Sequence, residues 1–203
     1  MNLQNLALPF EEDEIEWRIA QCGVKGNGQI WATCLAYVSA RAIMNRLDEV
    51  CGPENWKVGY RFEGGGVIAQ LGIKICRNKK DETDTPHSDY TSWVFKEDGA
   101  DNTEIEPFKG GLSSALKRAG SVWGIGRYLY GLETGFCQIT EDKRGAKFGK
   151  TKEGKAFYWL PPALPQWALP KGKKASGPPS IAPDQPKSYD GKQEDSDSFE
   201  NFK

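Results

Sequence analysis

The spacing of apolar and polar positions changes several times along the chain, and each change predicts an element. Pro9 and the acidic run Glu11–Glu14 precede Ile15, Trp17 and Ile19, a pattern that predicts an N-terminal helix with carboxylates at its positive end. A Gly-rich turn at 23–28 follows, then the continuous apolar run 30–38, which predicts a buried strand. Ser39 is placed to cap a second helix carrying Ile43, Leu47 and Val50 and ended by Gly52-Pro53. Residues 56–62 and 67–76 alternate around the Gly64–Gly66 turn, a polar loop covers 78–86, and 88–95 returns as a third strand, predicting an antiparallel meander. An acidic loop at 96–103 leads into a long helix over 104–123, with Phe108, Leu112, Leu116, Ala119 and Val122 as its core positions. Two short strands, 136–140 and 156–160, flank a basic loop at 143–155. The expected fold class is α+β: a three-stranded meander packed with a long helix, preceded by N-terminal helices.

Composition changes this picture at the C-terminal end. Residues 161–203 are Pro-rich and then acidic with scattered aromatics, so 1–160 is expected to be the folded domain and 161–203 a linker and disordered tail. The five cysteines are scattered and include no C-x-x-C pair, and there is one histidine, His87. That argues for free thiols in a reducing compartment and against a zinc site. With no long apolar run and an acidic start, a soluble cytoplasmic protein is expected.

A formal charge of −1 makes the protein no polycation, so a polyanion site requires segregated charge. Residues 105–155 provide it, with ten Lys/Arg against five Asp/Glu. Lys117 and Arg118 are successive helical positions about 100° apart, and Arg127, Tyr128 and Tyr130 follow a glycine-punctuated turn. Cations beside flat rings suit phosphates and stackable bases. The plainer reading is a solvated helix face with Trp123 in the core. Arg127 is open between a phosphate contact and an ion pair at a subunit boundary. Residues 145–151 miss a phosphate-binding loop by one residue and read better as an exposed basic hairpin whose Lys147 and Lys150 could touch a DNA backbone. Asp81, Glu82 and Asp84 could imitate a nuclease metal site, although solvated loop charge is the simpler account.

The words LDEV and GPENW at 47–56 and KGGLSSALKRAGSVWGIGRYLY at 109–130 carry a resemblance. In this order they resemble the Rad-fifty-two/twenty-two-type single-strand annealing proteins, in particular the phage Sak-like and bacterial DdrA-like branch, over about residues 11–133. The resemblance implies subunits joined into rings or arcs, and an outer basic groove that holds single-stranded DNA with its bases displayed for ATP-independent annealing. It places Lys117 and Arg118 in that groove. Ser121 stands where relatives can carry another cation, and Arg41 lies near a further basic groove position.

The expected function is therefore single-strand binding and annealing in recombination or repair, in a bacterium or an infected host cell, without covalent catalysis, cofactor or metal. Expected DNA contacts are Lys117, Arg118, Arg127, Arg41, Tyr128, Lys109, Lys147 and Lys150. The tail has two readings, a solubilising segment or a dock for a partner such as a single-strand-binding protein. A DNA-end-protecting scaffold of the same fold and a metal-dependent nuclease are the alternatives.

Overall fold

The computed structural model describes residues 1–77, 90–102, 106–132 and 134–174. The polar loop with Asp81, Glu82, Asp84 and His87, and the acidic-aromatic tail, lie outside the described residues. Two helices and nine strands make three antiparallel three-stranded sheets among these residues, an α+β architecture as expected.

The first sheet begins with a correction. Residues 15–24 form strand β1 (Ile15–Val24), not a helix. Ile15 and Ile19 fit a helical spacing, but together with Trp17 they also alternate, and Glu16 and Arg18 take the opposite face. The acids before β1 close a 3-10 turn at Glu12–Glu14 through a capping box with Glu11. Strand β2 (Ile30–Val38) pairs with β1 from Ile15↔Val38 to Val24↔Ile30. Helix α1 (Ala40–Cys51) follows, its first turn capped by the Ser39 side chain and its end set by Gly52 at φ 84°.

The central meander is β3 (Trp56–Glu63), β4 (Gly66–Arg77) and β5 (Tyr90–Asp101), in the order β3-β4-β5. Val67, Ala69, Leu71 and Ile73 are completely buried on the face that receives helix α2 (Pro107–Val122). Strand β5 runs through the expected acidic loop as far as Asp101. Its inward charges are satisfied by α2: the Lys96 amine donates to the Val122 carbonyl at 3.1 Å, and Asp98 meets Arg118. The helix turns a stripe of small residues inward, Gly111, Ala115, Ala119 and Gly120 together with Leu116. A Cβ on Gly111 would come within 2.8 Å of Val67 Cγ2, so glycine lets the helix sit down on β4. Of the expected core positions, Phe108 is exposed, and Leu112 and Val122 are half-buried.

The N-terminal segment is locked to α1 by a buried cation. The Arg46 guanidinium donates to the carbonyls of Leu8 (2.7 Å), Pro9 (3.3 Å) and Asn5 (3.4 Å), and lies 4.1 Å from the Phe10 ring centre. Phe10 and Leu6 are thereby held in the main core.

A third sheet closes the described fold. Strand β6 (Gly135–Phe136) pairs with β2, and β7 (Gln138–Thr140), β8 (Lys147–Lys150) and β9 (Ala156–Leu160) form a sheet in the order β7-β9-β8. The expected basic loop thus contains a strand of its own. Phe157 and Trp159 join Ala32, Cys34 and Cys137 in a second small core. The Cys34 and Cys137 thiols hydrogen-bond each other, which lowers the Cys34 pKa and raises that of Cys137, and both are free. The start of the Pro-rich segment is no loose linker: Leu164, Ala168 and Leu169 are buried in the main core. Pro161, Pro162 and Pro165 exclude ladder pairing there, but they do not prevent packing.

Candidate nucleic-acid interface

Helix α2 directs its charge outward because its small-residue stripe faces the sheet. Lys117, Arg118 and Ser121 therefore line a cleft of about 570 Å³ against β1 and β2, with Arg18 and Tyr37 on the opposite wall. A second cleft of about 420 Å³ continues from it, sharing Arg118, Ser121 and Tyr130 and adding Arg127 and Asp98. Four cations from β1, α2 and the turn after it thus line one continuous depression.

The cations are not equivalent. Lys117 is half-buried, its Nζ 5.0 Å from the Tyr37 ring centre. Burial, then the neighbouring Arg18 charge, pushes its pKa below the usual lysine value, while Glu16 partly opposes this. Glu16 and Tyr37 are direct cross-strand partners. Burial and a hydrogen bond to the Glu16 carboxylate push the Tyr37 hydroxyl up to about 12, so this ring is a neutral wall of the cleft at physiological pH.

Arg118 donates from Nε (3.1 Å) and Nη2 (3.0 Å) to Asp98 Oδ1, while its side chain is 51% exposed. It is held in position yet open to solvent, where an ion pair of this kind is worth little. Arg127 donates from Nε to the Ser121 carbonyl and from Nη2 to the Val122 carbonyl, both at 2.6 Å. It satisfies the bare end of α2 and complements its dipole. It also brings positive charge back to Ser121, where the family resemblance leads one to expect a cation.

Other expected site residues fall elsewhere. Tyr128 is a packing residue: its hydroxyl accepts the Phe10 N–H at 2.9 Å and its ring meets Trp167 edge-on. Trp123 likewise belongs to the core, with its indole N–H donating to the Leu71 carbonyl at 3.0 Å. Lys109 is exposed in the first turn of α2 and paired with Glu106 at 3.1 Å, about 12 Å along the axis from Lys117. Arg41 is exposed in the first turn of α1 and is not among the cleft's lining residues. Lys147 and Lys150 are exposed on β8, in the third sheet.

Two further residues complete the cleft, Arg18, which the sequence reading missed, and Tyr130, which it named among the rings beside the cations. Arg18 was hidden by the helical reading of β1; as a strand residue it shares a face with Glu16, opposite Ile15, Trp17 and Ile19. Tyr130 is 71% exposed in the 3-10 turn Arg127–Gly131 and is the accessible ring between Arg118 and Arg127. The alternation of exposed Arg127, buried Leu129 and exposed Tyr130 follows only once that turn is known. Among the described residues, no group of three or more His, Cys, Asp or Glu side chains is placed to hold a metal ion, and no helix is long and apolar enough to cross a membrane.

Comparison with known proteins bears on the same elements. Residues 2–62, which include β1, β2 and α1, match the family model described as Rad52/22 family double-strand break repair protein. The chain is 27% identical over 176 residues to the single-stranded DNA-binding protein DdrA of Deinococcus radiodurans, covering 86% of this chain and 70% of that protein. It is also 27% identical over 181 residues to the protein of the same name from Deinococcus deserti, covering 86% of this chain and 73% of that one. No solved structure matches. These matches bear out the resemblance read from the two long sequence words: the chain is similar to the Rad52/22 family of double-strand break repair proteins over residues 2–62 and to DdrA over most of its length.

Proposed function

We propose that this protein binds single-stranded DNA along the cleft between β1–β2 and α2 and promotes annealing of complementary strands without ATP, in DNA repair or recombination. The observation that carries the reading is the convergence of Arg18 from β1 with Lys117 and Arg118 from α2 on one wall-to-wall cleft, continued by Arg127 and Tyr130. The name of the DdrA relatives supports the choice of ligand.

Mechanistically, Arg18, Lys117 and Arg118 take successive phosphates of one strand. Each contact releases condensed counterions. Tyr130 offers a ring to a base, and the remaining base edges face outward for pairing. Annealing is accelerated because one strand is already extended and its charge is screened before the second arrives. No bond is made or broken.

A homo-oligomer, ring or arc, would join such clefts into a continuous track. Phe62 and Phe108 stack at 5.5 Å while remaining 58% and 64% exposed. That apolar patch at the free edge of β3 is where a second copy of the chain docks. The tail beyond residue 174 is left for a partner such as a single-strand-binding protein.

The test is an annealing assay with complementary fluorophore- and quencher-labelled oligonucleotides, with no nucleotide triphosphate present. Acceleration well above the protein-free rate is expected, and Arg18→Ala with Lys117→Ala should abolish it. Tight binding with no acceleration would leave a DNA-end-protecting scaffold; absence of binding would end the proposal.

A further inference from the structure

The third sheet presents a second surface of the same chemical kind, on strands that do not line the cleft. Residues 141–155 carry six cations (Lys143, Arg144, Lys147, Lys150, Lys152, Lys155) against three acids (Glu141, Asp142, Glu153). The acids are largely engaged locally. Asp142 is gripped by the Arg144 guanidinium, with Nη2 to Oδ2 at 2.8 Å, and Glu153 is held by Thr151 and its own backbone N–H. Lys147 and Lys150 remain exposed, and neither forms an ion pair among the described residues.

The faces of this sheet are sharply divided. On one face, Gly149 is buried beneath Phe157, whose ring would lie 2.6 Å from a Cβ at Gly149. Period two then turns Phe148 to the opposite face, where it is 62% exposed. Its cross-strand partner is Tyr158, edge-on with ring centres 5.8 Å apart, and the Lys143 amine lies 5.4 Å from the Tyr158 ring centre. Lys150 follows two residues after Phe148 on the same face. The core of this sheet is built by Phe157 and Trp159 on the other side, so the fold does not require an aromatic ring at 148.

The platform is also preorganised. The β8–β9 turn is closed by Thr151 N–H to Lys155 O (2.9 Å), Gly154 N–H to Thr151 O (3.0 Å) and Lys155 N–H to Thr151 Oγ1 (3.3 Å), with Thr151 itself buried and Gly154 at φ 88°. A ring carried on a rigid hairpin face loses little freedom on binding.

We propose that the outer face of the β8–β9 hairpin is a second polynucleotide contact: Phe148 stacks an unpaired base while Lys143 and Lys150 meet the adjoining phosphates. Stacking on an exposed ring requires a base free of its helix, so the ligand is a single strand and not a duplex. The inference rests on the reading of the protein as a single-strand binder. It adds a site where a longer strand continues, or a second strand is held, outside the cleft.

The experiment uses the full chain and a photo-crosslinkable oligo(dT), with binding followed by fluorescence anisotropy as a function of salt. Crosslinks to the peptide carrying Phe148 are expected. Phe148→Ala should weaken binding of a long oligo(dT) by about tenfold, and Lys143→Ala with Lys150→Ala should lower the salt slope by about 1.4. Phe148→Leu, which keeps the bulk but not the ring, should behave like Phe148→Ala, and melting curves should shift only by the small loss of the Tyr158 pair, because the ring belongs to neither core. Crosslinks confined to the cleft, with affinity and slope unchanged in these variants, would overturn the second contact while the cleft survives through its own Lys117/Arg118 variant. An equal loss for duplex DNA would also overturn it, because stacking would then not be the interaction.

Discussion

Replacing both Lys117 and Arg118 by alanine tests the cleft most directly, because alanine preserves the helix while removing two cations from one wall. On single strands each neutralised phosphate contributes about 0.7 to the slope of log affinity against log salt. Two lost contacts therefore flatten the slope by about 1.4, and between 50 and 200 mM salt the wild-type protein should lose about sevenfold more affinity than the variant. The figure is an upper bound from the geometry. The Lys117 amine must turn from the Tyr37 ring, and Arg118 is already partly neutralised by Asp98. The assay is anisotropy of a labelled oligo(dT) titrated at four or more salt concentrations, with assembly checked in parallel by light scattering. A variant with the wild-type slope would remove α2 from the interface, whatever its affinity at any single salt concentration.

Three further outcomes follow from the structure. Phosphate binding would oppose the burial and like charge that depress the Lys117 pKa, so binding takes up a proton; affinity should be full near neutrality and fall as pH rises through the alkaline range. Anisotropy between about pH 7 and about pH 9.5 measures this, and Lys117→Arg should flatten the profile; a flat wild-type profile would contradict it. Arg46→Met should destabilise the fold by about 3 kcal/mol, because three carbonyls lose their donor and the N-terminal segment its anchor; an unchanged denaturation midpoint would refute this. Phe62→Glu with Phe108→Glu should shift the protein to monomers in light scattering while preserving its circular dichroism, and undiminished assembly would move the docking surface elsewhere.

Much of the fold was legible where a single period dominates. The run from Ile30 to Val38, the Ser39 cap and the alternation around Gly64–Gly66 each admit one local solution, and the structure has them. β1 was not legible because Ile15 and Ile19 satisfy both four-residue and two-residue spacing, and the acids before them imitate a helix start. The end of β5 was misread for a different reason. Lys96 and Asp98 look like loop residues until α2 supplies the Val122 carbonyl and the Arg118 guanidinium as partners. The α2 wall of the cleft was visible as the adjacent Lys117-Arg118 pair, but its facing wall depended on β1 being a strand. Tyr128 was misplaced toward the ligand because nothing local indicates that its hydroxyl reaches the Phe10 N–H, 118 positions away.

If the cleft takes a polyanion as proposed, the carboxylate of Asp98 on Arg118 is a resident competitor. An anion that takes the same Nε–Nη2 edge displaces it, which a lone phosphate or a mononucleotide would do at little net gain. A polymer that engages Arg18 and Lys117 at the same time meets this toll once and spreads it over several bonds. On the reading proposed above, a preference for an extended strand over small anions would come from Arg18 and Lys117 acting together with Arg118, because one exposed ion pair alone is worth little.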